Sequence, residues 1–304
     1  MKTAVNILSY LFARFFEIPF RILPYKACLF LGRMIVISLY PFAASKKKIA
    51  RENIFFAFPE LSEKEREELL WKHFLFLGDV AGSTLYAPRI DQAWMDKYLE
   101  YDPDSLRLEK ETYNEGKGFF CVSGHYGVWE LMVHFMPLRY RISSIYKKIR
   151  NPYVEKWMYN VRTKNGMILI DMKEPGLVPK ALKQGHIVGI APDQNAGQAG
   201  IFVDFFNRKA STFKGLAVFT YLTGARNLLY SSNFIGGGKV RVSIRDMGTI
   251  DKKSETDKEE AIRKFTVKWT KILEEEVKKM PEQYLWIHRR WRTKPGDFPG
   301  QETA

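Results

Sequence analysis

Cysteine is scarce in this chain of 304 residues: Cys28 and Cys121 lie far apart, each in an apolar stretch. No disulfide framework and no CxxC metal pair follows from them. The pattern points to a reducing compartment, with both thiols behaving as small buried apolar groups. Several catalytic signatures are absent as well. There is no GxxxxGK[ST] phosphate loop, no HExxH zinc pair and no GxSxG nucleophile elbow around any serine. P-loop nucleotidases, HExxH metalloproteases and elbow-type serine hydrolases are thereby set aside. Ser123 stands two residues before His125 but lacks the flanking glycine pattern. No internal repeat or long low-complexity linker interrupts the chain. Uninterrupted apolar runs of the ~18–20 residues that span a bilayer are also missing. Arg14, Glu17, Arg21, Lys26 and Arg33 punctuate the apolar N-terminus between Val5 and Ala44, and Pro19, Pro24 and Pro41 are expected to break it. A secretory signal fits poorly, because no short apolar core followed by a small-residue cleavage site is present.

Acidic residues are in deficit: 34 against 48 Lys and Arg, a formal charge of +14 and a pI near 9.5. Aromatics are abundant, with 22 Phe, 15 Tyr and 7 Trp. Basic charge with aromatics suits a lipid headgroup boundary, and also a single-strand nucleic-acid binder. No aromatic-basic RNA-binding signature is visible, so nucleic acid is not an expected partner. The N-terminus therefore reads as two amphipathic helices lying in a membrane interface with their basic residues snorkelling; an ordinary pair of core-packing helices answers the same pattern. Lys46, Lys47, Lys48 and Arg51 follow directly and suit an anionic surface. The expected division is 1–45 as a membrane-associated apolar helical segment and 46–304 as an α/β domain.

Ser62 and Glu65 have capping-box spacing ahead of a helical pattern through Leu69, His73, Phe76 and Val80. From Phe119 the pattern changes to short apolar runs: Phe119–Val122, Ile142–Tyr146, Met167–Ile170, Ile187–Ala191, Leu228–Asn233 and Val240–Ile244. Helical patterns separate several of these, and strands alternating with helices predict an α/β domain. Gly236-Gly237-Gly238 reads as a hairpin turn. A last helix is predicted from Thr256, with Glu259 completing a capping box and an apolar face of Ile262, Phe265, Trp269, Ile272 and Val277.

Chemistry concentrates in Ser123-Gly-His-Tyr-Gly-Val-Trp-Glu130. Here a histidine stands where a buried strand passes into a helix, with a carboxylate five positions on. Glycines let a substrate approach the backbone, and the first helical turn offers N–H donors for an oxyanion. Glu130 is expected to reach back to one imidazole nitrogen, fixing the tautomer while the other nitrogen takes a proton. With five histidines and 34 acids, about 0.5 such spacings arise by accident, so placement matters more than spacing. A structural His–Glu hydrogen bond is the competing reading.

GHYGVWE resembles the H-x4-D/E block of lipid acyltransferases, and its Glu form resembles the lipid A biosynthesis acyltransferase family. RENIFFAFPELSEKE is similar to that family's early region, YKKIRNPYVEKWMYNVR to its basic substrate-binding block, APDQNAG with VDFFNRKASTFKG to its Asp-Gln block, and PEQYLWIHRRWRT to its C-terminal signature. These matches run in the family's order over almost the whole chain. The resemblance implies a glycerolipid-acyltransferase-like α/β fold, a mixed sheet flanked by helices, with a hydrophobic acyl groove. It makes His125 the general base for an acceptor hydroxyl and Glu130 its support. The donor would be a thioester of acyl carrier protein or coenzyme A, the acceptor a lipid A precursor or related glycolipid, and neither a cofactor nor a metal is required. It further implies the cytoplasmic face of a bacterial inner membrane. A phosphatidylinositol mannoside or lysophospholipid acceptor, or a non-catalytic basic membrane-binding protein, stands as the alternative.

Candidate substrate-binding residues follow. Lys148, Arg150 and Asn151 lie in the basic run, where Arg150 is a candidate phosphate ligand or simply a solvated strand end. Arg162 belongs to an amphipathic helical pattern and suits an ion pair. Asp193 and Gln194 close a strand, where site-lining and turn-capping roles both fit. Lys214 faces the site or starts a helix. Arg289, Arg290 and Arg292 with Trp286 and Trp291 read as an anionic-surface contact or a basic tail. His73, His134, His186 and His288 have no ligand spacing and read as structural.

Overall fold

A computed structural model describes residues 2–255 and 257–297. In chain order its helices are α1 Lys2–Ile22, α2 Tyr25–Leu39, α3 Ala44–Ala57, α4 Glu63–Tyr86, α5 Gln92–Tyr98, α6 Pro103–Asn114, α7 Trp129–Phe135, α8 Pro152–Thr163, α9 Leu177–Lys183, α10 Gly215–Thr223 and α11 Lys258–Lys279. The strands are β1 Leu99–Tyr101, β2 Phe119–Gly127, β3 Ile142–Tyr146, β4 Ile168–Asp171, β5 Ile187–Ile190, β6 Ile201–Phe205, β7 Arg208–Thr212, β8 Arg226–Phe234 and β9 Val240–Gly248. Seven strands form one sheet in the order β1-β9-β8-β2-β5-β3-β4, and β6 with β7 forms a separate antiparallel hairpin. Only the β8–β9 pairing in the large sheet is antiparallel. The protein is a mixed α/β structure with a mostly parallel sheet flanked by helices.

β2 lies at the centre of that sheet, and its side chains alternate between two buried faces as a strand's period of two requires. Phe120 and Val122 enter a core shared with Phe265, Trp269 and Leu273 of α11. Phe119 and Cys121 enter the opposite core with Leu131, Phe135 and Ile142. Ser123 and His125 continue this second set toward the C-terminal end of β2, where both line a cavity with Trp129 and Glu130 of α7. Ala261, Ile262, Phe265, Trp269, Leu273 and Val277 make the buried stripe of α11. Burying each large apolar side chain of this kind contributes roughly 1.5–3 kcal/mol.

The Ser62–Glu65 capping box is present: Ser62 Oγ accepts from the Glu65 N–H, and Glu65 Oε2 accepts from the Ser62 N–H at 2.7 Å. The Gly236–Gly238 turn joins β8 to β9. The last helix is capped by Asp257, whose carboxylate accepts from the Glu259 and Glu260 N–H groups; Thr256, the expected start, lies outside the described residues. Pro19 does not end the first helix but sits inside α1. It occupies the final turn, where a missing N–H costs one hydrogen bond and not a ladder. Pro24 is the break, directly before α2. The β6–β7 hairpin was not evident because its two turn residues, Phe206 and Asn207, both take positive φ (52° and 55°). A Phe gives no turn signal at a position usually held by Gly or Asn.

One window, Tyr25–Phe42, is long and apolar enough to cross a membrane by length and composition, although the charges Lys26 and Arg33 fall within it. It packs closely against α4 through three glycines. A Cβ on Gly32 would stand 2.2 Å from Gly78 O, and one on Gly82 would stand 2.4 Å from Cys28 O. The backbones thus meet where no side chain fits. Beside them Arg33 makes a two-point pair with Asp79, Nε to Oδ1 at 2.6 Å and Nη2 to Oδ2 at 2.8 Å.

Candidate active site

β2 and β5 run parallel, with Val122 paired to Ile190. Three residues beyond each of these stand His125 and Asp193, so the sheet register itself brings the two together. Asp193 Oδ1 accepts from His125 Nδ1 at 2.6 Å, and Oδ2 accepts from the His125 backbone N–H at 2.8 Å. The carboxylate is buried, while the imidazole keeps 21% exposure. A carboxylate can only accept, so the neutral ring carries its proton on Nδ1. Gln194 Nε2 donates to His125 Nε2 at 3.1 Å, which marks that nitrogen as the lone-pair side.

Burial pulls the imidazole pKa down, but the Asp193 charge and hydrogen bond outweigh it and hold the value above that of an ordinary histidine, with Glu130 adding a smaller share. Burial likewise pushes the Asp193 carboxyl up, and the His125 charge, side-chain bond and N–H bond reverse the direction, with Arg290 contributing. The pair is a charged-state trap for a proton on His125.

The backbone of His125 is held on both sides. Its carbonyl accepts from the Leu285 N–H at 3.0 Å, and Tyr126 bridges Tyr284 in an antiparallel pairing. Gly127 turns the chain out of the strand at φ +67°, where a Cβ would strike Ser232 O at 1.9 Å. Here glycine is obligatory on both counts. Trp129 packs its ring 5.1 Å from that of His125.

Glu130 does not reach the imidazole by hydrogen bond. At the first turn of α7, its carboxylate takes a fork from Arg162 of α8, Nε to Oε1 at 2.7 Å and Nη2 to Oε2 at 3.0 Å. The expected orienting role therefore falls to Asp193, for a physical reason: strand-end register sets the His125 partner, and helix packing sets that of Glu130. Ser123 Oγ is tied to Gly124 O at 2.8 Å, away from any nucleophile–base geometry.

His125, Glu130 and Arg162 line one cavity of about 180 Å³. Cys121, Met132, Ile142, Met167 and Leu169 make its apolar wall, and Lys147 and Tyr146 lie at its polar side. Of the other expected site residues, Gln194 and Asp193 meet at His125, as described. Lys148 is outside the cavity lining, its Nζ 3.0 Å from Asp171 Oδ2. Arg150 is exposed. Asn151 caps α8, its Oδ1 accepting from the Tyr153 and Val154 N–H groups, while its Nδ2 donates to Asn6 O. Lys214 is exposed just before α10. The anionic-surface reading of the C-terminal signature is overturned for Trp286, Arg290 and Trp291, which are buried. Arg290 Nη1 donates to Ser211 O at 2.7 Å, anchoring that segment to β7. Lys147 and Leu285 were not singled out in the sequence; the first was one residue from a named candidate, and the second acts only through its backbone.

Known proteins are similar to this sequence over most of its length. A family model described as bacterial lipid A biosynthesis acyltransferase matches residues 1–293. The chain belongs to the bacterial lipid A biosynthesis acyltransferase family. A lipid A biosynthesis palmitoleoyltransferase of Escherichia coli (strain K12) is 30% identical over 280 residues, covering 90% of this chain and 87% of the relative. A lipid A biosynthesis lauroyltransferase of the same organism is 26% identical over 284 residues, covering 92% and 90%. A lipid A biosynthesis acyltransferase of Haemophilus influenzae is 25% identical over 262 residues, covering 82% and 78%. This member of the bacterial lipid A biosynthesis acyltransferase family is accordingly an enzyme that transfers acyl groups.

Proposed function

We propose that the enzyme moves a fatty acyl group from a carrier thioester, with acyl carrier protein the preferred donor and coenzyme A the alternative, onto a hydroxyl of a lipid A precursor. The observation that carries this reading is the His125–Asp193 pair opening into a cavity with an apolar wall. The unprotonated Nε2 of His125 takes the acceptor's proton as the hydroxyl oxygen attacks the thioester carbonyl. The tetrahedral intermediate collapses, the C–S bond breaks, and the thiol leaves with the proton returned from the imidazolium. Asp193 stabilises that imidazolium, and Arg162, which lines the same cavity and whose Nη1 is not engaged by Glu130, is a cation available to the developing oxyanion.

The same reading sets residues 1–45 against the cytoplasmic face of a bacterial inner membrane and gives residues 46–304 the chemistry. Leu8, Phe12, Phe15, Ile22, Phe30 and Phe42 are all exposed along the N-terminal helices. Lys46, Lys47 and Lys48 lie beside them, each worth about 1 kcal/mol of attraction near an anionic surface. Arg51 is already committed to Glu67, at 2.5 and 2.9 Å. The test is transfer of labelled acyl chain from its carrier protein to a lipid A precursor by purified enzyme. His125→Ala is expected to lower the rate by about 10²–10⁴-fold; equal rates for wild type and variant refute the mechanism.

A further inference from the structure

A second and larger cleft, about 750 Å³, lies between α1 and α8. Five cations line it: Arg14, Arg21, Arg89, Lys156 and Lys164. Its one carboxylate, Glu17, is buried and already paired, accepting from Arg14 Nη1 at 2.5 Å and forming an ion pair with Arg21 Nη2 at 3.0 Å. Each guanidinium carries five N–H donors, so this pair holds two arginines in place without exhausting them. Among the described residues Lys156 has no acidic partner. Trp157 offers an indole N–H that is buried and unpartnered, and Arg14 stands 5.9 Å from its ring. A cleft with this surplus of positive charge and spare donors is built for an anion, and forked guanidinium donors match phosphate oxygens.

Two neighbours say what carries the anion. Leu8, Leu11, Phe12 and Phe15 of α1 are exposed on the helix face turned away from Arg14 and Arg21 and do not line the cleft. The apolar side chains within the cleft are Leu85, Pro88 and Val161 beside the rings of Tyr10, Tyr153 and Trp157, so a ligand seated there meets apolar surface as well as cations. On the inner side α8 is a shared wall: Trp157 and Lys164 line the cleft, and Arg162 between them lines the His125 cavity. At 1.5 Å per residue, Trp157 is only about 7.5 Å along the helix axis from Arg162.

We propose that the cleft between α1 and α8 is a headgroup site for a phosphorylated glycolipid, taking its phosphoryl group on Arg14, Lys156 and the Trp157 N–H while its sugar reaches toward His125. The inference rests on the function proposed above and names how the acceptor is held. It makes phosphate a specificity determinant that acts at a distance from the reacting hydroxyl.

The test measures equilibrium binding of the full chain to neutral detergent micelles doped with a phosphorylated disaccharide lipid A precursor. The same lipid after enzymatic dephosphorylation and phosphatidylglycerol are run in parallel. Arg14→Gln and Lys156→Gln are each expected to weaken binding of the phosphorylated glycolipid about tenfold, and to leave the dephosphorylated lipid unchanged. Lys156→Glu, at an exposed position that the fold does not need, should weaken it further. Lys110→Gln, exposed on α6 and outside the lining of both cavities, serves as the charge control and should match wild type. Unchanged affinity in the cleft variants overturns the proposal. So does an equal loss for the dephosphorylated lipid, or for phosphatidylglycerol, since either means a general surface contact. Acyl transfer assayed on the same proteins separates the two readings. A chain that binds the phosphorylated lipid through this cleft yet acylates no lipid A precursor keeps the site and refutes the function. A chain that acylates with unaltered KM in Lys156→Gln keeps the function and refutes the site.

Discussion

Replacing Asp193 with asparagine preserves side-chain size and removes one charge, and the geometry dictates the consequence. The carboxylate serves two donors at once, the His125 backbone N–H and the Nδ1–H. An amide has a single acceptor oxygen. If the backbone N–H keeps it, the amide NH2 faces Nδ1 and forces the ring proton over to Nε2, the atom that takes the acceptor's proton in the proposed mechanism. Loss of one charge-assisted hydrogen bond costs about 1.5–3 kcal/mol, or roughly 10–150-fold in rate. The wrong tautomer adds to this, and the same substitution in hydrolase triads costs about 10⁴. We expect Asp193→Asn to lower kcat/KM by about 10²–10⁴-fold. The pH profile supplies a second readout. In the proposed mechanism the neutral imidazole is the active form, so activity in wild type is expected to rise with pH through a His125 pKa that Asp193 holds above the ordinary histidine value of 6.5. Without the carboxylate, burial acts unopposed by its largest counterweight, and the acidic limb moves to lower pH. Initial rates with labelled acyl thioester between pH 5 and 9, with circular dichroism to verify folding, decide the matter. A variant within about threefold of wild type with an unmoved acidic limb refutes the reasoning.

Glu130→Gln should break the fork to Arg162 and lower the rate about 10–100-fold, but shift the acidic limb less than Asp193→Asn does, because Glu130 touches His125 only through its field; a larger shift in the pH profile reverses the assignment. Ser123→Ala should retain acyl transfer within a few-fold, since its Oγ bonds only to Gly124 O; abolished activity in a folded variant restores a nucleophile reading. Gly32→Val should destabilise the protein by about 1–3 kcal/mol or more through overpacking at the α2–α4 crossing, seen as a lowered Tm, and an unchanged Tm disproves the close contact.

The large sheet was legible because its strands are buried apolar runs bounded by turns, and every run singled out from Phe119 to Ile244 corresponds to a strand. β1, with three residues, and β6 and β7, with a Phe-Asn turn, lack that contrast with their surroundings. At the site, His125 announced itself through the strand-to-helix junction. Its partner did not, because local spacing favours Glu130, five residues on, whereas the partner is set by the pairing of β2 with β5 across 68 positions. Asp193 and Gln194 were visible as polar residues ending a strand, but their roles required the register. The C-terminal tryptophans and Arg290 were misjudged as surface because cationic aromatic segments have the same composition whether they face lipid or pack beneath a hairpin. Only the contacts with β7 and His125 distinguish the two.

The hydrogen bond from Leu285 to the His125 carbonyl also has a temporal meaning. Synthesis proceeds from the N-terminus at roughly 5–20 residues per second, and domains complete as their last contacts arrive. The apolar helices emerge first, then the strand bearing the histidine, and the segment that clamps it comes some 160 residues later. Asn53 is bonded to the Trp286 and His288 carbonyls, so the same late segment also ties down α3. The apolar N-terminal helices are thus made long before His125 is fixed in place. Under the proposed mechanism, the proton acceptor has no organised setting until the segment around Leu285 has been made.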